Sequence, residues 1–168
     1  MEIITGHRDA IRVICLRRVG PYSDIDDAFA ELEAFLADCG VSADGKERYG
    51  LYLDDPEDAE SRPADLRSDI CISIPENEDL KQVEVRHPGA LPAGYSIHMI
   101  PEGDYAQGIL SGLQVCTISA WSDIFTWLET TDRETDGDYC IEAYGALSSL
   151  EDAKEGEVLM LLKVRSAK

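Results

Sequence analysis

Two segments of the chain carry apolar residues at the spacing of an amphipathic helix, and a shift of 92 positions superimposes one segment on the other. In both segments the apolar residues recur at positions i, i+1, i+4, i+7 and i+8, which form one stripe along a helix. The same shift carries Tyr52 onto Tyr144, so we predict a duplicated fold. The paired stripe residues are Ala28 and Ala120, Phe29 and Trp121, Leu32 and Ile124, Phe35 and Trp127, and Leu36 and Leu128.

Apolar runs that end at Gly, Pro or acidic turns predict the strands around these helices. The first helix is predicted from Ser23 or Asp24 to about Cys39, where Gly40 ends it. The second helix is predicted over 119–129, and the connector between the halves carries one further short strand at 82–86. The remaining strands are predicted at 11–18, 48–53, 69–74, 95–100, 104–110, 139–144 and 158–164.

Each half of the chain thus has the order β-α-β-β. We predict an α+β fold in which two βαββ units form one largely antiparallel sheet, with both helices on one face and a ligand cleft on the other. The whole chain forms a single domain in this prediction. Its first half covers about 11–75, the connector 76–93 and the second half 94–164.

The net charge of −19 argues against direct binding of nucleic acid, whose phosphates an acidic surface repels. It attracts cations or a basic protein partner, although it also suits simple solubility or a salty cytoplasm. No apolar run approaches the ~18 residues of a membrane helix, and Met1–Ala10 carries no signal sequence. The five cysteines are scattered, so we expect reduced thiols and a cytoplasmic protein. The three histidines lack metal-ligand spacing, and we predict no metal and no cofactor.

Several short motifs, in their order and spacing over 11–164, resemble those of the GyrI-like family, which includes the effector-binding domains of AraC-type and MerR-type regulators. The sequence departs from the family pattern at 112–114, where a Gly-Pro-Tyr turn is expected, and at 145–149, where an Asp-Pro turn is expected. The motifs are Arg18–Tyr22, Gly50–Tyr52 followed by Asp54–Pro56, Asp69–Pro75, Leu91–Tyr95, Pro101–Tyr105 and Ile141–Tyr144.

This resemblance implies a cleft for a lipophilic, often cationic small molecule. Regulators of the family carry a DNA-binding helix-turn-helix ahead of this domain, whereas only ten residues precede the first predicted strand here. We therefore expect a stand-alone ligand-binding protein and not a transcription factor.

Glu142 is the main candidate for the ligand site. In a strand it shares one face with Cys140 and Tyr144, while Ile141 and Ala143 share the other. Because the apolar pair is expected to face the helices, we place Glu142 on the open face. Its repeat partner is Gly50, which we expect to leave room for a ligand. The resemblance implies that a glutamate at this motif position contacts cations, or takes part in hydrolysis in some stand-alone members.

Four aromatic residues complete the candidate site. Tyr52 and Tyr144 occupy matched strand positions and are expected to flank Glu142 as a cation-binding wall, although sheet tyrosines are also common without a ligand. Trp121 lies on the helical stripe, where a core position is favoured over the cleft. Tyr22 is expected to pack the turn and, as the alternative, to reach the mouth of the cleft.

Three functions remain open at this point. The favoured one is a non-enzymatic protein that sequesters or senses a lipophilic cation. The first alternative is a hydrolase of reactive electrophilic molecules, with Glu142 as general base and Tyr144 as donor. The second alternative is an acidic protein-interaction module such as an inhibitor of DNA gyrase.

Overall fold

The computed structural model describes residues 1–58, 60–111, 117–145 and 157–168. The sequence departures at 112–114 and 146–149 lie outside these residues. The helices are α1 (Ile25–Asp38), α2 (Asn77–Arg86) and α3 (Thr117–Glu129). The strands are β1 (Ile3–Arg8), β2 (Ile11–Val19), β3 (Arg48–Tyr52), β4 (Arg67–Ser73), β5 (Tyr95–Ile100), β6 (Gly103–Ser111), β7 (Arg133–Thr135), β8 (Cys140–Gly145) and β9 (Glu157–Ser166).

All nine strands belong to one antiparallel sheet, which confirms the predicted α+β class. The order is β1-β6-β9-β8-β3-β4-β2-β5, and β7 pairs with the end of β9. The first unit therefore contributes β3-β4-β2 and the second contributes β6-β9-β8. The two units meet where β3 pairs with β8, and there Gly50 lies directly opposite Glu142.

The repeat extends one strand further than the sequence pattern suggested. A shift of 92 carries the bounds of β1 onto those of β5, and the bounds of β2 onto those of β6. These first strands are exchanged, because β1 pairs with β6 of the second unit and β5 pairs with β2 of the first. β1 was not predicted, because Thr5, Gly6, His7 and Arg8 interrupt its apolar pattern.

The exchange forces the sheet to curl. β1 and β2 stand first and seventh in the order, which would separate them by about 29 Å in a flat sheet. A link of two residues, 9–10, joins them and spans at most about 11 Å. The inside of the curl is a core of its own, and its fully buried side chains include Val13, Leu51 and Ile141.

Two cysteines inside this curl correct the expectation of reduced thiols. Cys15 on β2 lies directly opposite Cys71 on β4, and the two form a disulfide. They are 56 residues apart in sequence, so only strand pairing brings them together. The cysteine pattern therefore gives no support to a reducing compartment. Cys39 and Cys140 are free thiols.

The helices cover the outer face of the sheet. α1 packs on β2 and β4, and α3 packs on β6 and β9, which leaves a gap between them along the axis of the repeat. The predicted short strand at 82–86 is wrong, because this segment lies in α2. Its alternating Val83 and Val85 resemble a strand, yet Val83 is fully buried while Val85 is exposed. No helix among the described residues is long and apolar enough to cross a membrane.

Candidate functional site

A cleft of about 820 Å³ occupies the gap between the two long helices. Ile25 at the start of α1 lines one side, Trp121 and Phe125 of α3 line the other, and Tyr52 and Glu142 lie at the floor. Its volume falls within the range of about 300–1,000 Å³ that is typical of small-molecule sites. The cleft therefore lies on the same face as the helices, and the expected position on the opposite face is wrong.

The orientation of Glu142 is likewise the reverse of the one expected. Glu142 lines the cleft on the helix side, while Ile141 points into the curl of the sheet. Strand alternation correctly groups Glu142 with Cys140 and Tyr144, which also line the cleft. The error arose because both faces of this sheet are buried, so an apolar pair does not identify the face that the helices cover.

Glu142 is only 6% exposed, and both of its carboxylate oxygens accept hydrogen bonds. Oε1 accepts from Nε1 of Trp121 at 3.0 Å, and Oε2 accepts from the hydroxyl of Tyr144 at 2.6 Å. The hydroxyl of Tyr52 in turn bonds to that of Tyr144. Since the proton of Tyr144 is committed to Glu142, Tyr52 acts as the donor. We call these four residues the Glu142 network.

Burial changes the acidity of every titratable group in the network. Desolvation raises the pKa of Glu142 above its usual range, against the hydrogen bonds from Tyr144 and Trp121, which favour the charged form. Desolvation, together with the charge of Glu142, also raises the pKa values of Tyr52 and Tyr144. The pKa of Cys140 rises to about 12 through burial and the charges of Glu142 and Asp55, so its thiol is neutral.

Aromatic rings form the walls above the network. Tyr22 packs edge-on against Tyr52, with ring centroids 4.8 Å apart. Its hydroxyl lies 2.8 Å from the carbonyl oxygen of Asp54, so Tyr22 both fixes its turn and lines the cleft. Trp121, for which a core position was favoured, also lines the cleft. Phe125 lies one turn further along α3, with its ring centroid 6.5 Å from that of Trp121.

Gly50 does not line the cleft, contrary to the expectation that it makes room for a ligand. The space above its Cα is taken by the ring of Tyr52, which folds back along β3. A Cβ built on Gly50 would lie 2.7 Å from the hydroxyl oxygen of Tyr52 and 2.8 Å from two of its ring carbons.

Carboxylates surround the mouth of the cleft. Asp55 and Glu57 come from the loop after β3, and Asp138 comes from the loop before β8; all three are exposed. We call them the acidic rim. None of the three forms an ion pair within the described residues, whereas Asp54 is paired with Arg67 at 2.8 Å. The described residues that line the cleft include no Lys, Arg or His.

Sequence reasoning missed the acidic rim and Phe125. The i, i+4 spacing of Trp121 and Phe125 was a usable signal for one aromatic face, since such residues are neighbours on a helix. Asp55 and Glu57 lie in a run of acidic residues of the kind common in solvated turns, and nothing in the sequence showed that loops from the two halves converge on one opening.

A group of metal-ligand side chains lies away from the cleft. The donor atoms of His7, Asp9 and Glu102 lie within 4.8 Å of one another, and all three residues are exposed. The ring of His7 bonds to Asp104 and Glu102, which raise its pKa. Both ring nitrogens of His7 thus already face carboxylates, an arrangement typical of an exposed ion-pair cluster.

An apolar cleft on the axis of a duplicated sheet, with a buried carboxylate at its floor, defines a small-molecule-binding protein. The chain belongs to the GyrI-like family: the profile of the GyrI-like small molecule binding domain matches residues 1–157. None of the curated proteins matches the sequence.

Solved structures share this fold at low sequence identity. The chain is similar to EcmrR in its DNA complex, with a TM-score of 0.74 and 13% identity; the match covers 99% of this chain and 58% of that one. It is similar to a hydrolase encoded by lin2189 from Listeria innocua, with a TM-score of 0.66, 14% identity and coverage of 98% and 92%. It is also similar to SAV2435 bound to tetraphenylphosphonium, with a TM-score of 0.54, 11% identity and coverage of 98% and 94%.

Proposed function

We propose that this protein binds lipophilic cations in the cleft between α1 and α3, in order to sequester or sense them. The observation that carries the proposal is Glu142, a carboxylate buried at the floor of a cavity whose walls are aromatic and apolar and whose rim is acidic. A buried carboxylate is unfavourable without a compensating partner, and a bound cation supplies the missing charge.

The lining favours a cation with an apolar body. Ring faces of Tyr and Trp attract cations, while apolar walls favour the release of water from a hydrophobic ligand. Both oxygens of Glu142 already accept hydrogen bonds, so a cation that offers no N–H group interacts with it by charge alone. Tetraphenylphosphonium has this chemistry, and SAV2435 was solved with it bound.

The charge of Glu142 sets the expected size of its contribution. A cation whose centre lies about 6 Å from the carboxylate, at an effective dielectric constant of about 20, gains about 2.8 kcal/mol. This energy corresponds to roughly a hundredfold in affinity. Glu142→Gln keeps the size of the side chain and the acceptor for Trp121 but removes the charge.

The test is calorimetric titration of the wild type and Glu142→Gln with tetraphenylphosphonium, and with triphenylphosphine oxide as a neutral compound that keeps three of the four phenyl rings. We expect the substitution to weaken binding of the cation about a hundredfold and to leave binding of the neutral compound within a few-fold. Glu84→Gln is the matched control, because Glu84 is exposed on α2 and outside the cleft.

Equal affinity of the wild type and Glu142→Gln for tetraphenylphosphonium would show that the buried carboxylate does not select charge. A wild type that binds the neutral compound as tightly as the cation would likewise contradict the proposal.

A second function, hydrolysis of reactive electrophilic molecules, is favoured by one specific feature. Glu142 has a raised pKa and accepts a hydrogen bond from Tyr144, as a general base next to a proton donor would. The likeness to a hydrolase from Listeria innocua agrees with this chemistry. The test is the rate at which the protein hydrolyses styrene oxide to its diol, and this rate should fall in Glu142→Gln. If the variant hydrolyses styrene oxide as fast as the wild type, or if the wild type is no faster than buffer, hydrolysis of epoxides is excluded.

A further inference from the structure

We propose that Gly50 is a positioning residue: its missing side chain allows Tyr52 to fold over β3 and reach Tyr144, which keeps the cleft open. This inference rests on the proposed binding of a cation in the same cleft. It assigns Gly50 a role that differs from ligand contact, because the residue lies beneath Tyr52 and does not line the cleft.

The geometry of β3 supports this role. Gly50 and Tyr52 are two positions apart on one strand and therefore project from the same face. The ring of Tyr52 leans back over Gly50, so that its hydroxyl reaches that of Tyr144 on the neighbouring strand. A methyl group at position 50 would lie 2.7 Å from the hydroxyl oxygen of Tyr52, well inside van der Waals contact.

Backbone conformation does not explain the glycine. Gly50 is not among the described glycines with positive φ, so the backbone there suits any residue. Glycine in the middle of a strand is unfavourable, and alanine is the better residue on backbone grounds alone. The side chain of Tyr52 is therefore the feature that requires glycine here.

The direction in which Tyr52 would move follows from its neighbours. Tyr22 packs against it on one side, and Tyr144 holds its hydroxyl on another. The open side is the cleft that Tyr52 lines. With alanine at position 50 the ring would swing into this space, lose its bond to Tyr144 and occupy volume needed by the ligand.

The test compares Gly50→Ala, Tyr52→Ala and the double variant by calorimetric titration with tetraphenylphosphonium. We expect Gly50→Ala to weaken binding at least tenfold, and the double variant to bind as well as Tyr52→Ala. Gly108→Ala is the control, since the three atoms nearest to a Cβ there all belong to the flexible side chain of Met1, the first at 2.6 Å. A Gly50→Ala variant with wild-type affinity would overturn the proposal, and so would a penalty that persists when Tyr52 is absent.

A second readout needs no ligand. In a Trp127→Phe background, the fluorescence of Trp121 reports the ionisation of Glu142, to which its indole nitrogen is bonded. Because the bond from Tyr52 to Tyr144 strengthens the bond that Tyr144 donates to ionised Glu142, Gly50→Ala should raise the pH midpoint, and it should leave the midpoint unchanged in the Tyr52→Ala background. An unaltered midpoint in Gly50→Ala overturns the role of Gly50. If the wild type fails to bind tetraphenylphosphonium but the midpoint shifts, the proposed function fails while the role of Gly50 stands.

Discussion

Replacing Tyr144 by phenylalanine tests whether the Glu142 network supports a buried charge. Tyr144 is 4% exposed, and its hydroxyl donates to Oε2 of Glu142 at 2.6 Å. The substitution keeps the ring but removes this donor, and it also removes the acceptor of Tyr52. A hydrogen bond to a charged group contributes about 1.5–3 kcal/mol. Each kcal/mol shifts the melting temperature of a domain of this size by about 2–4 °C, so we expect a fall of roughly 3–12 °C.

The assay is thermal unfolding of the wild type and Tyr144→Phe, without ligand, over a series of pH values. The penalty requires ionised Glu142, and burial raises the pKa of that group. The difference between the two proteins should therefore be full above this pKa and should shrink as the pH falls through it. Tyr95→Phe is the control, since the hydroxyl of Tyr95 lies 3.4 Å from exposed Glu31 and contributes little.

A Tyr144→Phe variant that melts within about 2 °C of the wild type at every pH would refute this reasoning, because the expected loss of at least 1.5 kcal/mol exceeds that shift. A melting temperature that stays close to that of the wild type is expected for the control variant Tyr95→Phe, and it does not contradict the reasoning about Tyr144. A large shift that is independent of pH would show that the hydroxyl of Tyr144 acts through its bond to Tyr52, and that its bond to the charged form of Glu142 has no energetic weight.

Three further predictions concern charge and covalent structure. Burial raises the pKa of Glu142 above its unfolded value of 4.5, so the wild type should lose stability as the pH rises from about 4.5 through the raised pKa. Glu142→Gln has no carboxyl group to ionise, and it should therefore melt at a higher temperature than the wild type at neutral pH. Calorimetric scans of both proteins over a series of pH values check this prediction. Replacing the three acids of the rim by their amides (Asp55→Asn, Glu57→Gln and Asp138→Asn) should lower the association rate constant of the cation and make it less dependent on salt. The dissociation rate constant should change little, and stopped-flow measurements give both constants. Alkylation of the unfolded, unreduced protein followed by peptide mapping should label Cys39 and Cys140 but leave Cys15 and Cys71 unlabelled.

The duplicated fold was predictable because helices and strands repeat their apolar pattern at one offset. The bounds of α1 and α3 follow from stripes that bury residues such as Leu32 and Ile124 against the sheet. The partners of β1 and β5 were not predictable, since the exchange between units depends on long-range pairing and β1 has no strong apolar alternation. The disulfide between Cys15 and Cys71 escaped for the same reason, because only the β2–β4 register brings them together.

At the candidate site, the sequence grouped Glu142 with Tyr144 and Tyr52 but could not orient them. Period-two alternation separates the two faces of a strand without stating what covers each face. In an open sheet with one solvated face, the polar residues would mark the solvent side. Here the curl buries the second face as well, so the apolar Ile141 belongs inside it and the carboxylate points towards the helices.

The position of Glu142 between the helices follows from the repeat itself. Two copies of one unit that join at β3 and β8 place α1 and α3 on either side of the axis, so the two helices reach this strand pair only from its flanks within the described residues. Residues at this junction that face the helices are therefore buried by single side chains from each flank, as Phe29 packs on Tyr144 and Trp121 bonds to Glu142. At one such position the first unit has Gly50 and the second has Glu142, and this difference breaks the symmetry of the floor. The glycine accommodates the ring of Tyr52, and the glutamate places a carboxylate at the floor, so the two copies contribute different parts of one asymmetric candidate site.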